Sequence, residues 1–148
     1  MDDSMTSIGS AALVTGIVEV LAKSIGKLHK LHNRWKQADL MFMNLIAQLT
    51  ALKAALVNLE EWLNTGEREG PDPHHQLIMD MELMIKCCKT LAHKIETQVS
   101  ELYLNADQVL DFESKVRLML KNSTLRNLQK MVDRQTNALT TLLTVCNL

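Results

Sequence analysis

A chain of 148 residues is the length of one domain, long enough to bury roughly two thirds of its unfolded surface around a single core. A formal net charge of −1 excludes a global attraction to nucleic acid or membrane, so any electrostatic recognition must be local. Only 3% of the residues are aromatic and Leu, Met and Ala lead the apolar set, which suits helix interiors better than pleated sheets.

The first helix is expected from about Thr6 to Arg34. Val14, Val18, Leu21, Ile25, Leu28, His32 and Trp35 recur at steps of four and three, and Ile8 and Ala11 extend the stripe towards the N-terminus. Gly9, Gly16 and Gly26 fall inside this helix, each costing about 1 kcal/mol relative to Ala. The small pairs Ala12 with Gly16 and Ala22 with Gly26 point first to close helix packing and second to dimerisation in lipid. Ser4 to Val18 is uncharged, but Glu19 and Lys23 interrupt before the roughly 20 apolar residues of a membrane span accumulate. The second half is basic, with Lys23, Lys27, Lys30 and Arg34, then Lys36, against Glu19. Such a tail fits a solvated face beside the negative end of the helix dipole, or a helix that lies conditionally on a membrane surface.

The second helix starts near Asp39, which can cap it, and runs to about Asn64. Leu45, Leu49, Leu52, Leu56, Leu59 and Leu63 form one stripe that a single helix cannot bury, so the other helices must supply matching seams. Between Thr65 and Pro73 two glycines and two prolines make a connection, closed by Asp72-Pro73 as N-cap and first helical residue. The third helix is expected from about His74 to Leu104, with Leu77, Met81, Met84, Cys88, Leu91, Ile95 and Leu102 as its seam and Gln98 and Val99 sharing one position. The methionines Met79, Met81 and Met84, with Met43 in the second helix, read as adaptable core filling. Asn105 and Gln108 resemble a capping box that opens a short brace helix over 106–121. A last helix over 123–146 carries Leu125, Leu128, Val132, Gln135, Leu139 and Leu142. A second basic face runs through Lys115, Arg117, Lys121, Arg126 and Lys130 to Arg134, opposed by Asp133. The expected fold is all-α: four long amphipathic helices plus a short brace in an antiparallel helical bundle, one domain over 1–148.

The residues that carry chemistry elsewhere do not assemble here into an active site. His29 and His32 share a helix face but have no carboxylate or cysteine partner nearby, and adjacent Cys87 and Cys88 diverge on a helix, so no metal site is expected. His29-Lys30 and His93-Lys94 are candidate phosphotransfer histidines, yet neither is followed by the glycine that lets a response regulator approach. No nucleophile elbow, phosphate-cradling glycine loop or zinc-protease helix occurs, and Glu60 and Glu61 splay apart. The expectation is therefore a protein without enzymatic activity or cofactor, and without a nucleic-acid-reading motif. The odd count of three cysteines favours a reducing compartment, and the acidic start MDDSM lacks the basic leader of a secretory signal, which makes the cytoplasm the expected location.

Three stretches carry a family resemblance: Ser7-Ile-Gly-Ser-Ala-Ala-Leu-Val-Thr-Gly16; Trp35 ahead of the Leu-rich helix that ends Leu-Glu-Glu-Trp-Leu63; and Cys87-Cys88-Lys89-Thr90-Leu91. Together with Lys115-Val-Arg-Leu-Met-Leu-Lys121 and the Leu125 to Val145 segment, this pattern resembles the N-terminal domain of fungal STAND proteins. The resemblance implies a HeLo-like helical bundle at the head of an NLR-like receptor. It implies a signalling and effector role in which the N-terminal helix drives oligomerisation with its own kind or a related receptor, conditionally targets membrane, and promotes cell death. Ile8, Ala12, Leu13, Gly16, Ile17, Val20, Lys23, Lys27 and Lys30 would then form the membrane and oligomerisation helix, with an anionic membrane surface as a partner. The alternative is a helical adaptor that binds proteins and keeps the first helix buried.

Overall fold

The computed structural model describes residues 3–34, 40–64, 74–105 and 123–146, all of them helical. They form α1 (Asp3–Arg34), α2 (Leu40–Asn64), α3 (His74–Asn105) and α4 (Ser123–Cys146). The chain is thus an all-α helical bundle, and its four long helices fall within a few residues of the expected spans. The expected brace over 106–121 lies outside the described residues.

The six leucines of α2 are what the bundle closes on. Leu45, Leu49, Leu52, Leu56, Leu59 and Leu63 are all buried, flanked by Ala55 and Trp62. α1 packs on α2 and α3, and α4 packs on the same two, so the four helices make a ring with α1 across from α4 and α2 across from α3. Near the end of α1, Lys27 Nζ donates a hydrogen bond of 3.0 Å to Ser100 Oγ, and the same ammonium sits 6.0 Å from the centre of the Tyr103 ring. Both of these residues lie near the end of α3, so the neighbours α1 and α3 run parallel. On the other flank, Gln48 near the start of α2 accepts from Gln129 at 3.1 Å and donates to Asp133 at 3.0 Å, tying α2 to α4.

The seam of α1 is rotated from the one expected, whereas that of α3 is the expected one, widened by Ile85 and Ala92. α1 buries Ala11, Val14, Ile17, Leu21, Ser24, Leu28 and Leu31, while Val18, Ile25 and His32 are half-buried on the flank of that stripe. α3 buries Met81, Ile85, Cys88, Leu91, Ala92, Ile95, Val99 and Leu102, with Met84 and Gln98 half-buried. The physical reason is that α1 meets both α2 and α3, so the row through Ile17, Ser24 and Leu31 faces inward between them and Val18, Ile25 and His32 are left on the flank. In α4 the expected Leu125, Leu128, Val132 and Leu139 are buried, joined by Leu143, while Gln135 and Leu142 are half-buried.

Ser24 breaks the apolar rule at the centre of α1. It is only 1% exposed, and its hydroxyl oxygen has no hydrogen-bond partner. A buried polar group without a partner keeps its desolvation cost with no compensation. Ser24→Ala is therefore expected to raise the free energy of unfolding by about 1 kcal/mol, read as a higher urea midpoint at unchanged slope. A lower midpoint would mean that the hydroxyl does stabilise the bundle.

Candidate functional site

The outward face of α1 is made mostly of small residues. Gly9, Ala12, Thr15, Gly16, Glu19, Ala22, Lys23, Gly26, His29 and Lys30 are exposed. A Cβ built on Gly9, Gly16 or Gly26 would meet nothing within 4 Å. The first explanation of the small pairs, close packing inside the fold, is thereby corrected: these glycines face outward and let no neighbouring helix approach. They still weaken the helix by their backbone freedom.

The residues expected to form a membrane or oligomerisation helix divide into three groups. Ala12, Gly16, Lys23 and Lys30 lie on the exposed face. Leu13 and Val20 are half-buried and packed against the core, and Ile17 is a core residue at 3% exposure. Lys27 is half-buried and committed to Ser100 and Tyr103, whereas the Ile8 side chain lies outside the described residues. Among the described residues, no helix is long and apolar enough to cross a membrane. Of the second basic face, Arg126 and Lys130 are exposed on α4, and Lys115, Arg117 and Lys121 lie outside the described residues.

A surface that charge counting along the sequence missed lies on α3. Lys86, Lys89, Thr90, His93, Lys94 and Thr97 line an open depression of about 600 Å³. Their offsets of 0, 3, 4, 7, 8 and 11 place them on one side of the helix, opposite the buried Cys88, Ile95 and Val99. The signal was in the sequence, but only once the inward side of α3 is known. His93 Nδ1 stands 3.6 Å from Glu96, a carboxylate beside the rim. The Thr90 and Thr97 hydroxyls donate to the carbonyl oxygens of Lys86 and His93, so neither has a proton left to offer a ligand.

The vicinal cysteines differ sharply in surroundings. Cys87 is exposed, whereas Cys88 is buried beside Gln135 Oε1, a long contact of 4.0 Å. Burial, with a smaller contribution from Cys87, pushes the Cys88 thiol up from 9.0 to about 12. No group of three or more His, Cys, Asp or Glu capable of holding a metal ion occurs among the described residues. Comparison with family models, with curated proteins and with solved structures returns no match.

The raised Cys88 thiol has a consequence for stability. Between pH 9.0 and about 12 the unfolded chain gives up this proton and the folded chain holds it, so the bundle loses stability as pH rises through that window. Chemical unfolding at a series of pH values should show a steeper alkaline decline in the native chain than in Cys88→Ala. Parallel declines would mean that the thiol titrates normally in the fold.

Proposed function

We propose that the chain is a non-enzymatic signalling and effector module of a fungal NLR-like receptor, with α1 as its working element. The observation that carries this reading is how unevenly α1 is held. Its inward stripe begins with the small Ala11 and continues through Val14, Ile17, Leu21, Leu28 and Leu31, with the unpartnered Ser24 among them. Each of these aliphatic side chains larger than alanine contributes about 1.5–3 kcal/mol on burial, so the Ala11 turn near the start of α1 is the one held least firmly. Outward glycines at 9 and 16 weaken this end of the helix further.

In this reading α1 leaves the bundle when the receptor is triggered. On leaving, it exposes Val14, Ile17 and Leu21 next to Lys23, Lys27 and Lys30, an amphipathic basic segment suited to lie in the interface of an anionic bilayer and not to span it. Clustering of receptors, each bringing one copy, would concentrate these helices at one place, with homo-oligomerisation and induction of cell death as the output. The module would be cytoplasmic at rest and at the membrane once triggered.

A second reading, a protein-binding adaptor without membrane activity, is favoured by the burial of Ile17 in the core. In that case α1 stays docked and partners meet its outward face.

Co-sedimentation of the whole chain with phosphatidylcholine vesicles, with and without phosphatidylserine, separates the two. Deleting α1's first half would remove core residues, so the comparison is with Lys23→Glu/Lys30→Glu, both exposed positions. The membrane reading predicts binding to anionic vesicles alone, weakened by about tenfold or more in the double variant, since each lysine near an anionic surface contributes about 1 kcal/mol. Absence of binding by the folded native chain would overturn it in favour of the adaptor.

A further inference from the structure

We infer that the depression on the outward side of α3 is a binding site for multiply phosphorylated anions, presented on a lipid headgroup or free in solution. The site is independent of α1 leaving the bundle and of the membrane reading.

Lys86, Lys89 and Lys94 project from one side of the helix, and His93 stands among them. Among the described residues none of the three lysines has a carboxylate within ion-pairing reach; Glu96, the carboxylate beside the rim, stands 3.6 Å from His93 Nδ1. On a rise of 1.5 Å per residue, Lys86 and Lys94 lie roughly 12 Å apart along the axis with Lys89 between them. One phosphate therefore reaches one or two ammonium groups, and a run of phosphates is needed to engage all three.

The polar groups that remain explain what kind of selectivity such a site has. Because the Thr90 and Thr97 hydroxyls already donate to the backbone, they can only accept, and an anion gains nothing from them. Recognition rests on the ammonium charges, which are flexible point charges and not a rigid planar fork. The number of phosphates should then matter more than their stereochemistry. The open form of the depression, about 600 Å³ and lined on one side by α3, suits a hydrated, highly charged ligand better than an apolar one.

Isothermal titration of the whole chain with sodium tripolyphosphate, and with orthophosphate for comparison, tests the proposal. A parallel arm uses phosphatidylcholine vesicles with and without phosphatidylinositol bisphosphate. Saturable tripolyphosphate binding, at least about tenfold tighter than orthophosphate and lost to a similar degree in Lys86→Glu/Lys89→Glu/Lys94→Glu, supports a site for free polyphosphates. Vesicle binding that requires the phosphorylated headgroup and is lost in the same variant supports the lipid source. All three lysines are exposed, so the variant should keep its helicity, and Lys86→Gln/Lys89→Gln/Lys94→Gln provides a second version without charge reversal. No saturable binding of either probe, or equal binding by native chain and both triple variants, overturns the proposal. Failure here leaves the Lys23/Lys30 vesicle test unaffected, because the two tests alter different residues.

Discussion

The bundle depends on the leucine row of α2. Six side chains spaced by four and three along 19 residues, from Leu45 to Leu63, are withdrawn from water and present one continuous seam to α1 on one side and α4 on the other. Since α1 and α4 stand across the ring from one another, each is fixed chiefly through α2 and α3. Three helices therefore remain connected by their own packing, α2 to α4 and α4 to α3, even where α1 is loosened. Within α1, the small Ala11 and the outward Gly9 and Gly16 set where loosening begins.

The two cationic surfaces occupy neighbouring helices. Lys86, His93 and Ser100 are seven residues apart along α3, on nearly one row, and Ser100 is the residue that meets Lys27 of α1. The depression itself lies on the outward side of α3, while Lys23 and Lys30 are exposed on α1. A chain with a formal net charge of −1 can still present such surfaces, because the sum conceals how charges are laid out on helix faces. Lys27 itself is drawn inward between the helices, bonded to Ser100 and set over Tyr103, where it clips the ends of α1 and α3 together.

Most of the fold was legible in the sequence because helix periodicity survives without any tertiary information. The α2 row is legible because all six of its leucines at that spacing are buried; Ala55 and Trp62 join them inside. α1 is harder for a definite physical reason. Val18 and Ile25 of α1 are apolar but flank the stripe, whereas Ser24 is polar and lies inside it, so residue type alone places the α1 seam one row off; in α3 it omits only Ile85 and the small Ala92. Charge was misjudged in a related way. The densest basic stretch in α1 contains one lysine, Lys27, that is already spent, while Lys86, Lys89 and Lys94 are interleaved with Cys87, Cys88 and Leu91 and gather into one surface only when the helix is wound and its inward side is known. The outward position of Gly16 and Gly26 was equally hidden, because small residues at a spacing of four look the same whether a neighbouring helix covers them or not.

α1 is anchored unevenly, least around Ala11 and its outward glycines and most around Leu28 and Leu31. Native-state amide hydrogen exchange, followed residue by residue in the whole chain, measures that directly. The account predicts that amides near Val14 and Ile17 exchange through a local opening well below the global unfolding free energy, while those near Leu28 in the same helix and Leu52 and Leu56 in α2 exchange only on global unfolding. Equal protection along α1, at the level of α2, would contradict it.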